Sequence, residues 1–138
     1  MRAALWTLQI VLAVVFGAAG LMKLVVPIAT LAAQDPWIGD APGLIHFIGV
    51  AEIAGAIGVI VPAATRILPL LTPLAAAGLT AIMILATAFN ASRGDWWSIA
   101  LTVPLGALAA FVAWGRFRRA PIASRHRIGA SGLAANRG

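Results

Sequence analysis

Long apolar stretches, separated by short clusters of Pro, Gly, Asp and Arg, run the length of this chain. From Ala3 to Val26 only Gln9 and Lys23 are strongly polar. At about 1.5 Å per helical residue this run crosses a hydrocarbon layer of roughly 30 Å, and it exceeds the apolar region of a secretory signal, about 7 to 15 residues. Span one is therefore expected to stay in the protein. A second run covers about Leu44 to Val61 and is predicted to stop at Pro62, leaving Ala63 to Arg66 as a tight turn. The third begins between Ile67 and Pro73, because prolines 69 and 73 suit a first helical turn, and ends near Asn90. After a polar turn at Ala91 to Asp95, Trp96 and Trp97 open a fourth span at headgroup level; it continues to about Gly115, with a kink expected at Pro104. Pro27 to Gly43 is the longest connection. Its Gln34, Asp35, Pro36, Gly39, Asp40, Pro42 and Gly43 read as turn chemistry, with Trp37 at the interface.

Within the spans, polar and small residues share faces at helical spacing. Gln9, Ala13, Phe16, Gly20 and Lys23 form one stripe; Ile45, Gly49, Glu52, Ala56 and Val59 form another, with Gly55 beside it; Thr80, Met83, Thr87 and Asn90 form a third. Lipid gives helices no solvent-driven reason to associate, so they pair where small side chains let backbones approach. The two intramembrane charges thus point inward.

Composition supports this reading. The residues are 62% hydrophobic and 10% charged, against roughly half and a quarter in soluble domains. The absence of cysteine excludes disulfides, thiolate-bound metal clusters and a thiol nucleophile. The net charge of +6 is confined to the end: Arg116, Arg118, Arg119, Arg125, Arg127 and Arg137 face no acid there, whereas Arg2, Lys23, Arg66 and Arg93 balance Asp35, Asp40, Glu52 and Asp95. That basic tail, residues 118–138, reads as a disordered topology signal and an anchor for anionic lipid, not as a nucleic-acid surface. Bases fall on alternate sides of the spans, which places both termini in the cytoplasm. The expected fold is an all-α, four-transmembrane-helix, up-down-up-down bundle over residues 1–117, in the cell (inner or plasma) membrane.

Most chemistry-bearing side chains converge toward the outer leaflet. Lys23 lies one turn from the outer end of span one, and Glu52 about two turns deep in span two. Thr87 and Asn90 approach the same level on span three. These four are the candidate intramembrane polar site, with His46 and Arg93 as secondary candidates. A bland role competes for each: Lys23 as a snorkelling anchor, Asn90 as a helix cap, His46 as an interfacial residue. Glu52 stands apart, because an ionisable group well inside a span is a functional-site hypothesis by default. Pairing with Lys23 would offset its desolvation. No catalytic constellation, phosphate-binding loop or metal-ligand set is legible.

These residues resemble the DoxX-like membrane proteins over roughly residues 4 to 95. The likeness is carried by Gly20-Leu21-Met22-Lys23-Leu24, by the run from Phe47 to Gly58 followed by Pro62, and by Leu71-Thr72-Pro73 through Leu79. The resemblance implies a four-helix integral membrane protein. Some relatives are small subunits of thiosulfate:quinone oxidoreductases, others accompany redox-linked membrane complexes, and most have no established activity. Many such sequences end the third span in Phe-His before an Arg-Gly pair; here the stretch reads Phe89-Asn90-Ala91-Ser92-Arg93-Gly94, without the imidazole.

Three functions compete. An accessory subunit or quinone-interacting component of a redox complex would use Lys23, Asn90, Thr87 and a protonatable Glu52 against a quinone head, the chemistry being the quinone's and a redox partner subunit's. An assembly protein would use the two charges only to fix helix register. A small proton-coupled transporter would exchange protons at Glu52, although the strong arginine bias opposes the dual topology of small multidrug transporters. The expected partners are the lipid bilayer and a redox subunit or quinone, with a homo-oligomer left open. No intrinsic cofactor is expected, and no enzyme activity is assigned.

Overall fold

The computed structural model describes residues 1–124. Six helices follow one another: α1 Arg2–Val25, α2 Ile28–Gln34, α3 Trp37–Asp40, α4 Pro42–Thr65, α5 Leu71–Arg93 and α6 Trp96–Trp114, the last continued by a π-helical turn, Gly115–Arg119. Four of them, counting the extension of α6 to Arg119, are long and apolar enough to span a membrane. No strand forms among the described residues. Consecutive long helices run antiparallel, so Met1, the α4–α5 turn and the end of α6 share one end of the bundle, the terminal end. The α2–α3 segment and the α5–α6 turn mark the opposite, connection end.

Packing is tightest within the pairs α1/α4 and α5/α6, with α4 against α5 joining them and a thinner seam between α1 and α6. The interior is built from Leu5, Leu12 and Phe16 of α1, Ala56 and Val59 of α4, Ala76, Leu79 and Met83 of α5, and Ala109 and Val112 of α6. On α4 the buried residues Ile45, Gly49, Glu52, Ala56 and Val59 are those of the predicted stripe. On α1, Leu12 is buried where the spacing pointed to Ala13. Val14, Leu85, Phe47 and many other large apolar side chains face outward, as surface in contact with a lipid bilayer requires. Trp96 and Trp97, each 76% exposed, stand at the connection end of α6.

Several boundaries differ from the sequence reading. Pro62 does not end its helix: α4 continues to Thr65, where Arg66 in the left-handed conformation (φ 58°) donates its N–H to the Pro62 carbonyl at 3.0 Å. A proline removes only its own N–H and so frees one carbonyl a turn earlier, a loss a helix near its end tolerates. The expected turn at Ala91 to Asp95 is likewise shortened, since α5 runs to Arg93 and stops at Gly94 (φ 70°). Gly94 N–H bonds the Ala91 carbonyl and Asp95 N–H the Asn90 carbonyl, at 3.1 and 3.0 Å, a Schellman closure that a left-handed glycine makes possible. Within Pro27–Gly43 the prolines punctuate short helices, so α2 and α3 replace an irregular loop and α4 starts at Pro42. Pro104 lies exposed within α6, which continues past it. Of the predicted tail, residues 125–138 lie outside the described residues; before them, Arg118 and Arg119 belong to the π-helical turn and Ala120 is buried.

Candidate intramembrane polar site

Two glycines create the site. Gly20 of α1 and Gly49 of α4 bring backbone against backbone: a Cβ built on Gly20 would stand 2.6 Å from the Gly49 carbonyl oxygen, and one on Gly49 2.9 Å from that of Gly20. One turn further along each stripe sit Lys23 and Glu52. Because the helices nearly touch here, the lysine stem spans the gap, and Nζ donates to Glu52 Oε2 at 2.8 Å. The carboxylate is almost wholly enclosed, its side chain 4% exposed, whereas the lysine side chain keeps 24%. An ammonium has three donors, and the Glu52 bond uses one of them.

The other candidates occupy separate contacts. Thr87 donates to the Met83 carbonyl at 2.7 Å and stands 2.8 Å from the Thr102 hydroxyl, which ties α5 to α6. Asn90 is buried at the end of α5, where its backbone carbonyl closes the Schellman turn. His46 is exposed on the first turns of α4. Arg93 reaches across the connection end: Nη2 meets Asp35 Oδ1 at 2.5 Å and Nη1 meets Oδ2 at 3.3 Å. Its guanidinium also lies over the rings of Trp37 and Phe89, which pack edge to face with centroids 4.7 Å apart. Trp37 Nε1 donates to the same carboxylate at 2.6 Å. This clasp fastens the α2–α3 connection to the end of α5, so it bridges the two helical pairs. Beside it Asp95 caps α6, accepting from the Ser98 N–H at 3.1 Å and the Ser98 hydroxyl at 2.5 Å. Those bonds, followed by the nearby Arg93 charge, hold the Asp95 carboxyl below its ordinary pKa.

A shallow apolar groove of about 460 Å³ runs along the seam of α1 and α4, lined by Ala13, Gly17 and Leu21 on one side and by Ile53, Ala56 and Ile57 on the other. A second groove, between α4 and α5, is lined by residues such as Gly58, Pro62, Leu71 and Ala75.

The sequence reading places nearly all chemistry at one level, and here it is corrected. At the terminal end Gln9 and Arg116 are both buried, with Arg116 Nε donating to Gln9 Oε1 at 2.8 Å and Nη2 bonding the same oxygen. Gln9 Nε2 donates in turn to the Val59 carbonyl. In the sequence Arg116 stands among the tail arginines, because it follows Trp114 in a basic run. The available signal is Gln9 itself, an amide on the buried stripe with no partner in its own helix. Among the described residues no group of three or more His, Cys, Asp or Glu is positioned to hold a metal ion.

In comparison with known proteins, the family model described as the DoxX-like family matches residues 7–112. No curated protein and no solved structure matches the chain.

Proposed function

The chain belongs to the DoxX-like family, and from that premise we propose that it is an accessory membrane component of a redox complex, in which Lys23 and Glu52 receive a quinone head. It is a membrane protein with four candidate spans; the proposal adds the cell membrane, with both termini in the cytoplasm. The observation that carries the reading is the buried ion pair with one open side. Glu52 is enclosed, the Lys23 side chain is 24% exposed and Glu52 takes one of its three donors, and a quinone carbonyl needs such a donor in an otherwise apolar place. The shallow groove at the α1/α4 seam, whose lining includes Ile53 next to Glu52 in sequence, offers an isoprenoid tail an apolar surface. Thr87 and Asn90, expected from the sequence beside the pair, serve helix contacts in the free protein. Redox chemistry would belong to the quinone and a partner subunit, since the chain supplies position and proton-bearing groups.

The test is extraction of the gently solubilised full chain, with quinone measured by chromatography and native mass spectrometry. Wild type should retain quinone near one per chain, and Lys23→Met and Glu52→Gln should lose it while remaining folded. Absence of quinone from wild type, or equal retention by both variants, refutes the proposal.

A second reading rests on Gly20 and Gly49. Helices held backbone to backbone beside a closed ion pair also suit an assembly protein, in which the pair fixes register. Folded wild type without quinone, together with a large stability coupling between Lys23 and Glu52, favours it.

A further inference from the structure

Arg116 is a buried cation with no anion beside it among the described residues. It is 5% exposed, yet the partners within reach are neutral: the Gln9 side-chain oxygen, taken by Nε and Nη2, and the Ala120 carbonyl, 3.4 Å from Nη1. The Trp6 ring lies 5.5 Å from the guanidinium carbon. A guanidinium carries five N–H donors, and these contacts use three of them.

The chain has no carboxylate side chain to offer. Its four acids are Asp35, Asp40, Glu52 and Asp95. Asp35 and Asp95 belong to the clasp and cap at the connection end, and Asp40 ends α3 in the same connection. Asp95 and Arg116 are separated by the length of α6, roughly 30 Å at the helical rise. Glu52 lies about two turns beyond Val59, the residue that Gln9 touches, and is already paired with Lys23. Meanwhile Arg2, Arg66, Arg118 and Arg119 crowd the terminal end. A buried charge with only neutral partners among the described residues is costly, and none of the four acidic side chains relieves it. A planar fork beside an indole, at the terminal end of the bundle, fits a phosphate oxyanion.

We propose that Arg116, held by Gln9 and flanked by Trp6, binds the phosphate of an anionic lipid headgroup at the terminal end of the bundle. Gln9 is a positioning residue: its Nε2 is anchored on the Val59 carbonyl, so Oε1 fixes one edge of the guanidinium and leaves the remaining N–H groups for the phosphate. Arg118 and Arg119 are exposed, and Arg119 lies over Trp114; they add general attraction, not the specific site. This site is independent of Lys23 and Glu52.

The experiment is native mass spectrometry of the full chain in mild detergent, titrated with phosphatidylglycerol or with phosphatidylcholine of the same acyl chains. Wild type should retain phosphatidylglycerol about tenfold better or more, and the Arg118→Gln, Arg119→Gln double variant should keep most of that preference. Arg116→Gln should lose it. Because that variant can fail to fold, Gln9→Glu is the companion, with its helix content checked by circular dichroism: it gives up the Nε2 bond to the Val59 carbonyl, gives Arg116 an internal carboxylate, and should abolish the preference in the folded protein. Inorganic phosphate at millimolar concentration separates the sources. If it displaces the lipid from wild type, the phosphate oxyanion alone is recognised and a free anion can serve; if it does not, the lipid is the ligand. Equal retention of the two lipids by wild type overturns the proposal, and so does a preference that survives Gln9→Glu or resides in Arg118 and Arg119.

Discussion

Adding one methyl group at Gly20 should drive α1 from α4, whereas the same methyl at Gly78 should stabilise the protein. At Gly20 the new Cβ would stand 2.6 Å from the Gly49 carbonyl oxygen, 2.9 Å from Ile53 Cγ1 and 3.1 Å from Glu52 Cβ. Carbon-to-oxygen contacts settle near about 3.3 Å, so the helices must part by ~0.7 Å at this level. Backbone cannot rotate aside as a side chain can. Overpacking of this kind costs roughly 1–3 kcal/mol, against a gain of about 1 kcal/mol from replacing glycine by alanine inside a helix. The net expectation for Gly20→Ala is a loss of up to about 2 kcal/mol. It also carries a structural signature: Lys23 Nζ, now 2.8 Å from Glu52, is drawn away with its helix. At Gly78 nothing lies within 4 Å of the position the methyl would take, so only the propensity gain remains, about 1 kcal/mol. Reversible unfolding in mixed micelles, followed by far-UV circular dichroism, measures both variants. Gly20→Ala as stable as Gly78→Ala would refute close backbone approach as the basis of the α1/α4 seam.

Three further outcomes are expected. In a double-mutant cycle, Lys23→Met and Glu52→Gln should show coupling of roughly 1–3 kcal/mol, measured by the same unfolding assay; strictly additive losses would mean that the pair contributes nothing as a pair. Asp95 has its pKa lowered by Ser98, so its contribution is present above the unfolded carboxylate pKa and disappears as pH falls through the lower folded value. A melting-temperature profile through the acid range should therefore flatten in Asp95→Asn, and an unchanged profile would remove Asp95 from the acid response. Reporter fusions at Gly39 and after Gly138 should report opposite compartments, the latter cytoplasmic; a common compartment would contradict the antiparallel bundle.

The spans were legible because lipid imposes a length and an apolar composition, and the α4 stripe because its small residues recur with the helical period. Even the partnership of Lys23 and Glu52 followed from two glycine-lined faces and the antiparallel hairpin, despite a stagger of about 7 Å between their levels. Other features had no local signature. Pro62 reads as a stop, yet whether a helix survives a proline depends on what surrounds the freed carbonyl. Asp35 and Arg93 are separated by 58 residues, and nothing in either neighbourhood names the other. Arg116 was hidden by its company, since adjacent arginines look alike until the π-helical turn directs one inward and leaves two outside.

The division into two tight helical pairs also sets an order of events during synthesis. Lys23 and Glu52 are 29 residues apart and belong to the first pair, so their contact needs neither α5 nor α6 to be in the membrane. That hairpin can leave the translocon as a unit with its ion pair already closed. Gln9 and Arg116 are 107 residues apart, and their bond cannot form until the last helix has arrived. Until then the Gln9 side-chain oxygen waits in the membrane for a donor that only the end of the chain brings.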